Sequence, residues 1–131
     1  MAKMSQVQYF FEPVEKQFGF AASVAAGKTL YLSGLISVDE QMQLVGEGDM
    51  GAQIAKIYDN MEQVLALNGA TLANVVQEMM FVTDMAALAE HAGVRAERYA
   101  NYAPPTNTAV QVSGLFIPGA MIEIQATALL D

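Results

Sequence analysis

Two polar side chains stand where the chain otherwise reads as sheet. Pro105-Thr106-Asn107-Thr108-Ala109-Val110-Gln111-Val112 alternates as a strand does, with Asn107 at its mouth. Ile122-Glu123-Ile124-Gln125-Ala126 is a second alternating run, and Glu123 is the acid inside it. Desolvating a carboxylate is expensive, so an acid between isoleucines must find water, a donor or a ligand. Its side chain leaves the strand on the face opposite Ile122 and Ile124. A partly buried glutamate has a raised pKa, which suits general acid–base work on an imine, enamine or carbonyl compound. Glu123 is therefore the candidate catalytic residue. Asn107 offers a neutral donor and acceptor and is a candidate substrate contact. Held on adjacent strands, the two would form a small-molecule site. The plainer readings are an edge-strand glutamate facing water and an asparagine that merely opens a strand after Pro105.

The elements that must position them follow from periodicity and punctuation. Val7-Gln8-Tyr9-Phe10-Phe11 reads as an edge strand stopped by Pro13. Phe20 to Val24 leads into a hairpin turn at Ala25-Ala26-Gly27-Lys28, and Thr29 to Ile36 returns as a strand. Gly34 inside that strand signals a bulge or a close approach to the backbone. Asp49 reads as a helix N-cap, and Ile54, Ile57, Tyr58, Met61, Val64, Leu65 and Leu67 form one apolar helical face ended by Asn68-Gly69. Val75 to Val82 is a strand closed at Thr83-Asp84. A second helix runs from about Met85 to about Tyr99, with His91, Arg95 and Arg98 on its polar side. Strands at about Thr106 to Val112 and Met121 to Leu129 flank a turn at Phe116-Ile117-Pro118-Gly119. The order predicts an α+β fold in which two helices pack on one face of a mixed sheet and leave the other face apolar.

Composition narrows the function. A chain of 131 residues is one domain, residues 1–131. It is 53% hydrophobic and 15% charged, an excess that predicts burial against copies of itself. It has no cysteine and one histidine, so thiolate chemistry is excluded and neither a metal site nor a cofactor is expected. The net charge of −8 repels phosphate backbones, so no nucleic acid is expected. No apolar run reaches the roughly 18 residues of a membrane span, and Met1 to Gln8 lacks a signal-peptide core. A cytoplasmic small-molecule or protein-interaction role is expected.

Several blocks point further. Ala26-Gly27-Lys28-Thr29-Leu30-Tyr31-Leu32-Ser33-Gly34, the run Asn68 to Val76 with Gln53, Asn60 and Leu65 before it, and Phe81-Val82-Thr83-Asp84-Met85 stand in a specific order and spacing. With Pro105 to Val112 they resemble the RidA family, the reactive intermediate deaminases also called YjgF, from about Phe18 to Leu129. The resemblance implies a chorismate-mutase-like fold, a homotrimer, and small-molecule clefts between subunits. It implies that Glu123 helps place a hydrolytic water and that Phe20, Ser33, Gly34 and Ala109 line the cleft. The family's carboxylate-binding arginine falls on Asn107, and a family asparagine on the second helix falls on Arg95. Where deaminating members read Pro-x-Arg-[Ser/Thr], this chain reads Pro105-Thr106-Asn107-Thr108. Exchanging a bidentate cation for a neutral amide costs on the order of 2–3 kcal/mol, roughly 30- to 150-fold in binding. Arg95 restores that cation if it reaches the cleft; otherwise it is a solvated arginine near Glu90 or Glu97. The loop Tyr102 to Pro105 is shorter than the family's, which reshapes the cleft mouth.

Two functions compete. One is a hydrolase acting on a small imine, enamine or related compound, with Glu123 directing water, and not an efficient 2-iminoacid deaminase. The other is a non-catalytic trimer that binds a metabolite. A purely structural or chaperone-like trimer is a weaker third.

Overall fold

In the computed structural model, which describes residues 5–131, the alternating runs pair into one seven-stranded sheet. Along the chain the strands are β1 (Ser5–Gln8), β2 (Ser23–Ala26), β3 (Thr29–Leu32), β4 (Leu35–Ile36), β5 (Val75–Val82), β6 (Thr106–Gln111) and β7 (Ile122–Leu129). Across the sheet the order is β1-β2-β3-β7-β5-β6, with β4 also pairing to β7. β5 and β6 are parallel, and the chain crosses between them through a helix, as a parallel pair requires. The expectation that Met1 to Gln8 carries no signal-peptide core falls partly on residues 1–4, which lie outside the described residues.

Both expected helices form, as α2 (Met50–Ala66) and α3 (Met85–Arg98). Their starts are fixed by side-chain caps: Ala52 N–H donates to Asp49 at 3.0 Å and Ala87 N–H donates to Asp84 at 3.1 Å. After α2 the chain turns at Gly69, whose φ of 69° is the left-handed value that glycine adopts freely. Ile54, Ile57, Tyr58, Met61, Val64 and Leu65 are buried in the core. α2 packs on α3, β4 and β7. Each such aliphatic side chain contributes about 1.5–3 kcal/mol by leaving water.

Three features correct the sequence reading. Among the described residues there are three α-helices, not two: α1 (Glu12–Phe18) follows β1, so β1 ends at Gln8 rather than running to Phe11. The signals for it lie in the sequence. Pro13 opens its first turn, Glu12 and Lys16 pair at i,i+4 with 2.6 Å between charges, and Gly19 ends it at φ 78°. The return strand is split into β3 and β4 at Ser33-Gly34. Finally, β6 and β7 are not neighbours, because β5 lies between them.

β7 alternates cleanly. Ile122, Ile124, Ala126 and Ala128 are buried, while Glu123, Gln125, Thr127 and Leu129 point to the other face. That second face carries no helix from α2 or α3 and is mixed rather than apolar: Tyr31, Val110 and Leu129 are exposed on it beside Glu123, Gln125 and Thr127, so the expectation of an apolar face is met only in part.

Candidate functional site

The break between β3 and β4 builds the site. Ser33 is pinned there by its N–H to Ala22 O at 2.9 Å and its hydroxyl to Ala21 O at 2.6 Å. Gly34 then passes directly against Glu123. A Cβ at position 34 would lie 2.3 Å from Glu123 Oε1, so any larger residue displaces the carboxylate. Glu123, Phe20, Ser33 and Gly34 line one cavity of about 450 Å³, with walls from α1, β4 and the 116–117 loop. Gln53 of α2 fastens the adjoining loops, donating to Gly46 O at 3.0 Å and Gly119 O at 3.2 Å and accepting from Met121 N–H at 2.8 Å.

Glu123 is half-buried, and no hydrogen-bond donor reaches its carboxylate among the described residues. Burial alone raises its pKa above the ordinary carboxylate value. A second acid that sequence reasoning missed, Glu15 of α1, lines the same cavity at 3% exposure. Burial raises its pKa too, opposed by the Phe10 and Phe11 amides, and Phe10 N–H donates to it at 2.7 Å. Its signal was α1 itself, since a four-residue helical step from Phe11 carries Glu15 to the same side.

The other expected contacts lie elsewhere within this chain. Asn107 pairs in register with Glu78 and through it with Ala126, whereas Glu123 pairs with Phe81 and through it with Val110. Two strand spacings and three residues of rise separate their Cα atoms by about 14 Å. Asn107 and Ala109 also share the face of Glu78 and Met80, the helix side, while Glu123 occupies the opposite face. The adjacent-strand pairing of Asn107 with Glu123 is therefore corrected: a single copy cannot bring them together.

Arg95 is neither a solvated arginine beside Glu90 or Glu97 nor a lining residue of this cavity. It faces Glu78, which is fully buried. Arg95 Nε donates to Glu78 Oε1 at 2.7 Å, and the Tyr58 and Tyr99 hydroxyls donate to the same carboxylate at 2.8 and 2.6 Å. Arg95 Nη2 is also 2.7 Å from Oε1, a charge contact by distance, although neither of its N–H bonds is aimed to hydrogen-bond. Burial opposes the guanidinium's charge, but Glu78 overrides it and holds the Arg95 pKa up. Both tyrosine hydroxyls are pushed well above their ordinary range, by burial first and by Glu78. The sequence held the clue that Glu78 shares the face of Met80 and Val82.

Among the described residues no group of three or more acids and histidines gathers to hold a metal ion, and no helix is long and apolar enough to cross a membrane. What the cavity offers is one carboxylate free to take up a proton or order a water, set in an apolar pocket of small-molecule size.

Comparison with known proteins fits this geometry. The family described as endoribonuclease L-PSP matches residues 13–130. Protein DfrA of Myxococcus xanthus is 38% identical over 109 residues, covering 83% of this chain and 82% of that protein. The 3-aminoacrylate deaminase RutC of Acinetobacter baylyi is 30% identical over 112 residues, covering 83% of this chain and 85% of its own. The crystal structure of a YjgF-family member from Mycobacterium tuberculosis superposes with a TM-score of 0.82 at 28% identity, covering 96% of this chain and 99% of that one. Its fold is the mixed α+β arrangement described above. Family match, relatives and fold agree with the motifs around Ser33-Gly34 and Thr83-Asp84, and the chain belongs to the endoribonuclease L-PSP family, the YjgF/RidA group.

Proposed function

We propose that the chain hydrolyses a small imine, enamine or related compound in the cavity beside Gly34, with Glu123 directing the water. One observation carries this reading: a half-buried carboxylate, without a protein donor among the described residues, opens into a small-molecule cavity. Glu123 takes a proton from water as the water oxygen bonds to the imine carbon. It returns that proton to nitrogen to give a carbinolamine. A second proton then passes from the carbinolamine hydroxyl through Glu123 to nitrogen as the carbon–nitrogen bond breaks and C=O forms, and the products are a carbonyl compound and ammonia. An enamine first tautomerises to the imine. The likeness to a relative named as a 3-aminoacrylate deaminase supports a substrate of this class.

Nucleic-acid cleavage, which the family's description names, finds little support in the charges. Lys16, Arg95 and Arg98 are each engaged by an acid, and among the described residues the cavity lining has no basic one. Asn107 and Glu123 meet only if they come from different copies, so a cleft containing both lies between subunits of the homotrimer. The exposed Tyr31, Val110 and Leu129 on the sheet's second face support that assembly.

Ammonia release from imines generated in solution tests the reading. Imines without a carboxylate should turn over, and 2-iminoacids should turn over poorly, because Asn107 offers no cation and Arg95 faces Glu78. Turnover of 2-iminoacids at the rate of an arginine-bearing relative overturns it. A metabolite-binding protein without chemistry would show ligand binding with no ammonia release above the spontaneous rate.

A further inference from the structure

Four phenylalanines, Phe11, Phe18, Phe20 and Phe116, share the cavity lining with Glu15 and Glu123, and among the described residues no lysine, arginine or histidine joins them. Phe18 and Phe116 meet edge to face with ring centroids 5.6 Å apart, yet they remain 56% and 70% exposed. Phe20 is 45% exposed beside them. Aromatic rings gathered uncovered at the mouth of a cavity mark a surface that something else covers.

We propose that this cavity takes an organic cation: a small amine or protonated imine whose nitrogen meets Glu123 and whose apolar body lies among the phenylalanines. This rests on the reading that the cavity is the ligand site, and it adds the charge and shape of the ligand. Ring faces carry negative electrostatic potential and attract an ammonium within about 6 Å of the ring centroid. Glu123 has no donor from the protein among the described residues, and an N–H-bearing cation supplies one together with the opposite charge. A neutral apolar ligand would bury that carboxylate and leave it unpaired. An anionic ligand would meet two carboxylates where the apolar walls strengthen repulsion.

The two acids divide the work. Glu15 is held by Phe10 N–H at 2.7 Å and is only 3% exposed, so it is a fixed part of the wall. Glu123, resting on Gly34 and open to the cavity, is the contact. A protonated imine is also the form whose carbon water attacks most readily, so the same preference would serve the proposed hydrolysis.

Calorimetric titration at neutral pH with benzylamine, benzyl alcohol and phenylacetate tests this, because the three share a ring and differ in charge. Benzylammonium should bind at least tenfold more tightly than benzyl alcohol, and phenylacetate should not bind. Glu123→Gln should abolish the preference for the cation, bringing benzylammonium down to the affinity of benzyl alcohol, without lowering the thermal melt. Phe116→Leu, at a largely exposed ring, should weaken benzylammonium several-fold without unfolding the protein. Phenylacetate binding as well as benzylammonium, an unchanged cation preference in Glu123→Gln, or no binding of any of the three overturns the proposal. If the cation binds but no imine releases ammonia, the hydrolytic reading fails and the cation site stands. If imines are hydrolysed without any cation preference, the reverse holds.

Discussion

Replacing Arg95 with methionine removes the guanidinium that faces Glu78 and leaves the aliphatic stem's volume nearly intact. Glu78 has no exposed surface, and Arg95 is 19% exposed, so the pair sits in a largely desolvated setting. Without Arg95, the carboxylate keeps only the Tyr58 and Tyr99 hydroxyls, at 2.8 and 2.6 Å. Breaking a buried pair this way costs about 3–5 kcal/mol; the partial exposure of Arg95 and the two remaining donors favour the lower end. For a domain of this size that corresponds to a fall in Tm of roughly 10 °C. Glu78→Gln combined with Arg95→Met should recover about 2 kcal/mol of the loss, since the neutral amide no longer needs a counter-charge and still accepts from both tyrosines. Thermal and urea unfolding of the two single variants and the double variant measure this coupling. If Arg95→Met costs under about 1 kcal/mol yet abolishes ligand binding, the reasoning is wrong and Arg95 is a substrate cation.

Gly34→Ala should lower ammonia release or ligand affinity on the order of 10- to 100-fold by displacing Glu123, while the melt moves little because the clash is with a movable side chain; an unchanged rate would refute that placement of the carboxylate. The rate should rise with pH through the raised Glu123 pKa and then level, since the base must be ionised; a rate that falls over that range argues against a general base. The sign for stability is opposite: folding favours the protonated acid, so this contribution is present below the ordinary carboxylate pKa and is lost as pH rises through the folded value. Glu123→Gln should flatten both dependences. Light scattering should report a trimer at micromolar concentration, and a monomer would remove the intersubunit cleft.

Local signals carried much of the fold. α2 was legible because its apolar face, the Asp49 cap and Gly69 agree at one place. β5 was legible as a dense apolar run and β7 as an alternating one. α1 was missed because Pro13 was read as a strand stop, although a proline in the first turn opens helices as well. Strand order was the larger gap. β6 and β7 follow one another along the chain, but β7 inserts between β3 and β5, and no local pattern encodes that non-local pairing. The mistaken neighbourhood of Asn107 and Glu123 came from there. Periodicity put Arg95 on the polar side of α3, yet its partner Glu78 lies 17 residues away on the buried face of β5. The half-burial of Glu123 was legible, because an acid between two isoleucines has few inexpensive environments.

The most direct measurement compares ammonia release by the native chain and by Glu123→Gln on the same imines lacking a carboxylate, with light scattering to show that assembly is unchanged. The glutamine keeps the shape of the side chain and cannot take a proton from water. The account predicts release above the spontaneous rate for the native chain and a loss of about 100-fold or more in the variant. A variant that keeps the full rate, or a native chain that releases no ammonia from any of these imines, would contradict it.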